Sequence, residues 1–242
     1  MKLYDELAHW WHLLSSPDDY REEAEVYWQI ISKHQKDTKT LLELGSGGGN
    51  NAFHLKKKCT LTLTDLSPSM LEVSKAINPE CEHLIADMRT MNLDRKFDLV
   101  FIHDAIMSIT NESDLIRVFQ VAKRHLNSRG ILFVVPDFFR ETYRPRTSHG
   151  GHDAEDRSIR YLEWTYDPDP SDSVVWTDYA YLMKERGQET VCISDSTVDG
   201  IFPKSVWESR LAEAGFSVSF EAIRLHGLES EDYTGIVGKL LA

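Results

Sequence analysis

Four glycines and a later aspartate form the segment of this sequence with the clearest chemical meaning. Residues 41–51 read LLELGSGGGNN, and Asp65 follows twenty positions after Gly45. Glycine permits a sharp turn and lets a ligand approach bare backbone, as at Gly47 and Gly49. A helix that begins directly after such a turn presents free N–H groups. Asp65 could then accept hydrogen bonds from a ribose, so the segment predicts a site for a nucleoside-containing cofactor.

The spacing of the glycines separates the known types of nucleotide-binding loop. A dinucleotide fold favours G-x-G-x-x-G, but Asn50 stands at the sixth position here. A P-loop needs Lys and then Ser or Thr after its glycines, where this chain has Asn50 and Asn51. The run is G-x-G-x-G, preceded by Glu43, whose carboxylate could receive an ammonium group. This spacing disfavours a nucleotide-dependent oxidoreductase.

Several segments in a fixed order give the chain a resemblance to a known family. ELGSGGG resembles the first motif of class I S-adenosylmethionine (SAM)-dependent methyltransferases, in the branch that acts on small molecules and amino sugars. Further along the chain, the matching segments are DLS with Met70 (65–70), ADMR (86–89), FDLVFIHDAI (97–106), HLNSRGILFVV (125–135) and GIFPKSVWESRLAEAGF (200–216). The resemblance covers residues 40–136 and 200–242.

This resemblance implies the fold, the cofactor and a set of contacts. The expected fold is α/β, a doubly wound Rossmann-like seven-stranded sheet, and the expected cofactor is SAM. Asp65 would bind the ribose hydroxyls, Asp87 would face the adenine amino group, and Met88 would cover the ring. The other expected cofactor contacts are Glu43, Gly45, Gly47, Gly49, Asn50, Leu66, Met70, His103, Tyr4 and Trp11. The last two lie in an N-terminal helix that in this family often closes over the cofactor, although its aromatic residues could instead only pack in the core.

Composition and charge argue against several other classes of protein. The chain has 242 residues, of which 41% are hydrophobic and 27% charged, which suits one large α/β domain. No run of eighteen apolar residues predicts a transmembrane helix, and the acidic, aromatic N-terminus is unlike a signal peptide. Three scattered cysteines fit a reducing cytoplasm. A net charge of −12 argues against a nucleic-acid partner.

The order of predicted elements divides the chain into three parts. We expect a helical lid at 1–36, a SAM-binding core at 37–136 and 198–242, and a substrate-binding insertion at 137–197. In the core, strands near 40–44, 59–64, 82–85, 97–102 and 130–136 alternate with helices near 50–58, 68–77 and 112–126, which predicts a parallel sheet.

The insertion has a different pattern. Residues 140–156 are predicted to form a polar loop, and period-two alternation around DPDPSD predicts an antiparallel hairpin. Residues 189–197 could add a third strand. We expect this antiparallel insertion to lie over the active site, although it could instead only extend the core or form a dimer face.

Two residues after the fourth predicted strand are the candidates for catalysis. His103 could deprotonate an attacking hydroxyl or ammonium, or it could only line the cofactor pocket. Asp104 could orient a cationic substrate or cap a turn. Enzymes of this fold that methylate the amino groups of DNA or RNA bases usually carry Asn/Asp-Pro-Pro-aromatic after this strand. The sequence IHDAIM at that point disfavours such a role.

The insertion supplies the candidates for substrate binding. An anionic group of the substrate could be bound by Arg140, Arg144 and Arg146, or these side chains could lie in a solvated loop. His149 and His152 could ligate a metal, but no third histidine or cysteine lies nearby, so no metal is predicted. The predicted substrate contacts are Arg140, Tyr143, His149, His152, Trp164 and Tyr179.

Together these patterns predict a cytoplasmic SAM-dependent methyltransferase. It would transfer a methyl group to an N or O nucleophile of a small molecule by in-line displacement. The alternatives are a methyltransferase of protein or RNA and a non-catalytic SAM-binding module. No membrane partner is expected. A homodimer is compatible with the sequence, which fixes neither the oligomeric state nor the methyl acceptor.

Overall fold

A seven-stranded sheet forms the centre of the protein. The computed structural model describes residues 1–226 and 233–241, so part of the predicted core range, 227–232 and 242, lies outside the described residues. The strands of the sheet are β1 (Thr40–Leu44), β2 (Thr60–Asp65), β3 (Glu82–Ile85), β4 (Phe97–Ile102), β5 (Leu126–Val134), β10 (Phe216–Ala222) and β11 (Thr234–Leu240). The strand order is β10-β11-β5-β4-β1-β2-β3, and β11 runs antiparallel to both of its neighbours.

The helices cover both faces of this sheet. They are α1 (Trp11–Leu14), α2 (Arg21–His34), α3 (Asn50–Leu55), α4 (Pro68–Ile77), α5 (Glu112–His125) and α6 (Lys204–Ala214). Local capping sets their ends: the Ser67 hydroxyl accepts from the Met70 N–H at the start of α4, and Gly215 ends α6 at φ 95°. Within the described residues, none of these helices is both long and apolar enough to cross a bilayer.

The central strands are buried on both faces, as a parallel sheet between helices requires. Leu41 and Leu99 face α2 and α3, where Tyr27 belongs to the same buried cluster. Leu42 and Val100 face the opposite side, in the cluster that contains residues of α5 and α6. The predicted doubly wound Rossmann-like fold is confirmed, and this packing brings the carboxyl ends of β1, β2 and β4 to one edge of the sheet.

A second, antiparallel sheet of four strands follows β5. Its strands are β6 (Arg146–Gly150), β7 (Arg157–Tyr166), β8 (Val174–Glu185) and β9 (Val191–Gly200), in that spatial order. The predicted antiparallel insertion is confirmed. The expectation of a polar loop over 140–156 is wrong in part, because β6 lies within it. RTSHG lacks alternating apolar residues and pairs as an edge strand through its backbone, which a hydrophobic pattern does not reveal.

The N-terminal segment is less regular than predicted. Two short 3-10 helices, Lys2–Tyr4 and Ala8–Trp10, precede α1, and a third, Pro17–Tyr20, precedes α2. Leu3 and Trp10 pack against the second sheet instead of forming one stripe on a continuous helix. The backbone N–H of Lys2 also donates to Asp195 of β9 at 2.6 Å. These tertiary contacts override the helical spacing of the apolar residues.

Candidate active site

One cavity of about 900 Å³ lies between the two sheets. The glycine turn and the ends of the parallel strands form its floor, and the N-terminal segment closes one side. The inner face of the second sheet forms the opposite wall through Glu163, Thr165, Thr177, Tyr179, Tyr181, Thr197 and Asp199.

The glycine turn follows β1 and has a backbone that other residues rarely adopt. Gly45, Gly47 and Gly49 have φ values of 73°, 51° and 76°. A Cβ atom on Gly45 would also lie 2.4 Å from Cβ of Ala105, and one on Gly49 would lie 2.2 Å from Oγ of Ser74. Conformation and space therefore both require glycine at these two positions, and the turn presents bare backbone to the cavity.

Asp65, at the end of β2, holds the turn in place. Its Oδ2 accepts from the Gly47 N–H and its Oδ1 from the Ser67 N–H, both at 2.8 Å. Burial raises the pKa of Asp65, while these two backbone hydrogen bonds oppose the rise. The side chain lines the cavity together with Leu66, Met70 and Met88, all predicted cofactor contacts.

Several buried polar atoms beside the turn have no hydrogen-bond partner among the described residues. They are Glu43 Oε2, Ser46 Oγ, Asn50 Oδ1 and Trp11 Nε1, and all four residues line the cavity. Glu43 is only 3% exposed, and burial raises its pKa to about 8, against the effect of His103. Because unpartnered buried polar groups are costly, this set fits a ligand that brings an ammonium group and polar atoms.

Asp87, the predicted adenine contact, does not line the cavity. Its two carboxylate oxygens are bound by Arg89, with Nε at 2.9 Å from Oδ1 and Nη2 at 2.6 Å from Oδ2. This hydrogen bonding lowers the pKa of Asp87. Ala86 and Met88 reach the cavity instead. The contact between Asp87 and adenine stays a prediction, and the structure shows the carboxylate engaged elsewhere.

The N-terminal segment closes over the glycine turn through hydrogen bonds that the sequence did not predict. His12 Nε2 lies 2.9 Å from the Gly48 carbonyl oxygen, and His54 Nε2 lies 2.7 Å from that of Pro17. Asn50 Nδ2 donates to the carbonyl of Ser15 at 3.1 Å. Tyr4 and Trp11, which were predicted, line the cavity from the same segment.

His103 lies in a buried polar network at the end of β4. Its Nδ1 is 3.2 Å from Asp104 Oδ1, and its Nε2 is 3.1 Å from Glu23 Oε1 and 3.0 Å from the Tyr27 hydroxyl. Burial opposes the charged imidazole, but Asp104 and Glu23 outweigh it and raise the pKa of His103 well above its ordinary value. A raised pKa favours the imidazolium, which has no lone pair for a further proton. The two neighbouring carboxylates therefore favour the alternative in which His103 lines the pocket.

Of the predicted substrate contacts, the structure brings only Tyr179 to the cavity wall. Trp164 lies on the other face of the second sheet and is 50% exposed. Strand alternation explains the difference: Glu163 pairs with Tyr179 on the inner face, and Trp164 pairs with Asp178 on the outer one. Pattern analysis found the alternation but did not establish which face was inward.

The remaining predicted contacts have other partners. Arg140 donates to the carbonyls of Pro170 and Asp172 and so secures that loop. Tyr143 is buried, with its ring centroid 5.1 Å from that of Phe138. His149 is exposed on β6, and His152 Nδ1 lies 3.1 Å from the Leu13 carbonyl. Within 1–226 and 233–241, no group of histidines, cysteines and acids is arranged to hold a metal ion.

Sequence reasoning missed three acids in the cavity wall. Asp137 follows β5, and Glu163 and Asp199 come from the second sheet. The position of Asp137 was a usable signal, because residues just after parallel strands meet at one edge of the sheet. Burial raises the pKa of Asp137 to about 7 and that of Asp199 to about 6. This part of the wall favours a cationic ligand.

Comparison with known proteins gives a domain and a shared fold. Residues 41–130 match the family described as methyltransferase domain. A segment of 129 residues, 52% of the chain, is 26% identical to a dTDP-3-amino-3,6-dideoxy-alpha-D-glucopyranose N,N-dimethyltransferase from Streptomyces fradiae. Another of 83 residues, 33% of the chain, is 32% identical to a trans-aconitate 2-methyltransferase from Enterobacter sp. (strain 638). These segments span 51% and 33% of the two relatives, so the match covers about half of their length or less.

A solved structure extends the likeness to most of the chain. It is the SAM-bound CalS10, an amino pentose methyltransferase from Micromonospora echinaspora, with a TM-score of 0.77 and 18% identity. The alignment covers 92% of each chain. At this identity the likeness establishes the fold, including the region of the second sheet.

Proposed function

We propose that this chain, which carries a class I methyltransferase domain, transfers a methyl group from SAM to the nitrogen of a small-molecule amine. One observation carries the proposal. The glycine turn, with its unpartnered polar atoms, and a wall rich in carboxylates share a single roofed cavity.

The residues around the turn fit the parts of SAM. Glu43, buried and unpartnered at Oε2, suits the ammonium of the amino-acid end. Asp65 lines the cavity at the end of β2, where it suits the ribose hydroxyls, and Met88 suits a flat ring. The indole of Trp11 offers an aromatic face, which favours a cation by about 0.5–2 kcal/mol.

The size and roof of the cavity support a small acceptor. A volume of about 900 Å³ lies within the range of small-ligand sites, which is roughly 300–1,000 Å³. The second sheet forms the wall opposite the glycine turn, which leaves less room for a protein or RNA chain than an open cleft would. This arrangement favours a small molecule over the macromolecular alternatives.

The charge of the cavity supports an amine rather than an acid as acceptor. Acidic lining residues outnumber the basic ones, Arg146 and His103; the acids are Asp5, Glu43, Asp65, Asp104, Asp137, Glu163 and Asp199. A carboxylate acceptor would be repelled by most of this wall. By their names, one relative acts on an amino sugar and the other on trans-aconitate. The acidic wall favours chemistry of the first kind.

The first task of the protein in this chemistry is positioning. When bound, SAM supplies the activated methyl group and accepts the electrons of the broken C–S bond. The chain aligns the donor and acceptor, and such alignment can lower a barrier by about 7–11 kcal/mol. The second sheet and the N-terminal segment exclude water, so the fixed charges around the cavity act more strongly.

The test is direct. Purified protein is incubated with SAM that carries a tritiated methyl group and with a metabolite extract, and labelled products are identified by mass spectrometry. We expect label in a small amine; dTDP-3-amino-3,6-dideoxyglucose serves as a defined probe for this class. Absence of SAM binding, together with saturation of the cavity by NAD, would overturn the proposal. SAM binding without turnover on any extract would instead support a non-catalytic module.

We further propose that the enzyme is cytoplasmic and that it forms a homodimer. Three unpaired cysteines support the reducing compartment. The exposed apolar side chains on the outer face of the second sheet, Leu162, Trp164, Trp176 and Leu182, support self-association. Fractionation of the source cells and sedimentation of the purified protein test these two points.

A further inference from the structure

Methyl transfer to a protonated amine requires that its nitrogen first lose one proton. An aliphatic amine is largely protonated at neutral pH, and the ammonium form has no lone pair with which to attack. A group in the cavity must therefore accept a proton. His103 lies between the carboxylates of Asp104 and Glu23, which raise its pKa well above its ordinary value and so favour the charged imidazole, a poor proton acceptor. Asp104 is engaged by that imidazolium, which lowers its pKa against the effect of burial.

Asp137 differs from these residues in its contacts. It lies three residues after the end of β5 and lines the cavity, where its side chain is accessible from the cavity while the surrounding protein still desolvates the carboxylate. Its carboxylate accepts no hydrogen bond from any residue in the described part of the chain, whereas Asp199 accepts one from the Thr197 hydroxyl at 3.3 Å. Asp137 is therefore free to bind a proton or an ammonium.

The charged groups that face Asp137 come from three parts of the fold. Asp104 and His103 lie after β4, Arg146 lies on β6, and Asp199 lies on β9. Burial is the main cause of the raised pKa of Asp137, and the nearby carboxylates add to it, while His103 and Arg146 oppose it. A general base works best when its pKa lies near the working pH. A useful fraction of it is then ionised, and the ionised form still binds a proton strongly.

A second observation places a polar ligand on this side of the cavity. Tyr181 is fully buried, lines the cavity and has a hydroxyl without a hydrogen-bond partner among the described residues. Its ring stacks on that of Tyr179, with the centroids 5.7 Å apart. Both hydroxyl-bearing rings lie on the same inner face as Glu163. A polar substituent of the acceptor would satisfy the buried Tyr181 hydroxyl.

We propose that Asp137 is the proton acceptor of the methyl-transfer reaction and that Asp199 binds the acceptor ammonium beside it. This inference rests on the proposed function. The ammonium gives one proton to the Asp137 carboxylate, and the nitrogen lone pair forms a bond to the methyl carbon. The C–S bond breaks with its electrons on sulfur, which yields a thioether and a methylated ammonium. The proton on Asp137 then passes to water.

The experiment compares Asp137→Asn with Glu189→Gln, which removes one charge from an exposed loop position. With dTDP-3-amino-3,6-dideoxyglucose as acceptor, wild-type kcat/KM should rise as pH increases through about 7, because Asp137 must be ionised to act. Asp137→Asn should lower kcat/KM about 100-fold at pH 7, the lower end of typical general-base effects. The loss should shrink above the pKa of the amine, where the substrate is already neutral. Glu189→Gln should match wild type throughout.

A second readout does not depend on turnover. In cofactor-free protein labelled with ¹³C at aspartate carboxyl groups, the resonance lost in Asp137→Asn should titrate near pH 7. The inference is overturned if Asp137→Asn retains wild-type kcat/KM at pH 7, or if its loss is equal at all pH values, as for a structural role. Wild type that binds no SAM would defeat the proposed function instead, and unchanged SAM affinity in the variant separates the two outcomes.

Discussion

The indole of Trp11 fills the space beside Gly48 that a side chain would need. A Cβ atom on Gly48 would lie 2.1 Å from Cδ1 and 2.3 Å from Nε1 of Trp11. His12, the next residue, reaches the carbonyl oxygen of the same glycine. The N-terminal segment and the glycine turn therefore form one packed unit. A substitution in either of them should alter SAM binding.

Gly48→Ala tests this packing. The added methyl group should displace Trp11 and weaken SAM binding by about 1–3 kcal/mol, as overpacking in a tight site does. In a Trp11→Ala background the same change should cost less, because the clash is gone. Calorimetry on the four proteins of this cycle measures the coupling between the two positions. Equal losses of SAM affinity in both backgrounds would show that the effect of a side chain at position 48 does not depend on Trp11.

Asp65→Ala should weaken SAM binding by about 1.5–3 kcal/mol, the usual cost of losing a charged hydrogen bond. Two causes contribute, since Asp65 faces the cavity and also holds the N–H groups of Gly47 and Ser67. Asp37→Ala, at an exposed position, is the matched control. Titration calorimetry with SAM measures both variants. Unchanged affinity in Asp65→Ala would remove this residue from the site.

Binding of SAM at neutral pH should release a proton from Glu43. The carboxyl group has a pKa of about 8, so it is mostly protonated at pH 7, and a nearby ammonium favours the ionised form. The released proton is taken up by the buffer. Binding should therefore be more exothermic in Tris than in phosphate, because Tris gives out more heat on protonation. Glu43→Gln should abolish this difference, and a difference that persists would assign the proton to another group.

His103→Gln should reduce stability without removing the pH dependence of the reaction. The change leaves the carboxylates of Glu23 and Asp104 without their buried cation, at a cost of about 1–3 kcal/mol. The stabilisation from charged His103 is complete below a pH of about 6.5 and is lost as pH rises through its raised folded pKa. Thermal unfolding against pH measures it, with exposed His149→Gln as control. Disappearance of the rise in kcat/KM near pH 7 would make His103 the base after all.

Substitution of Tyr179 should weaken binding of the methyl acceptor, whereas substitution of Trp164 should not. Tyr179→Ala removes part of the inner wall and should raise the KM for the amine on the order of tenfold, which corresponds to about 1.4 kcal/mol. Trp164→Ala changes only the outer face and should leave KM unaltered. Steady-state kinetics on both variants shows which face of the second sheet contacts the acceptor. A raised KM for Trp164→Ala alone would place the acceptor outside the cavity.

The elements of the core could be predicted because their signals are local. Four of the five predicted parallel strands fall within one residue of β1 to β4, and β5 begins four residues before its predicted start. Helix α3 ends at Leu55 instead of continuing to Lys58. Glycine at Gly45 and Gly49 is dictated by backbone conformation, which a short sequence motif records. Strand alternation in the second sheet is likewise a property of neighbouring residues.

The electrostatics of the site could not be predicted in this way. Asp104, Asp137 and Asp199 are far apart in the sequence and meet only because β4, β5 and β9 end at one cavity. The charge on His103 depends on Glu23 of α2, and the orientation of Asp87 depends on the side-chain conformation of Arg89. Short-range sequence thus determined the fold and the cofactor turn. Long-range packing decided which acids face the acceptor, because pKa and contact depend on every group that the fold brings near.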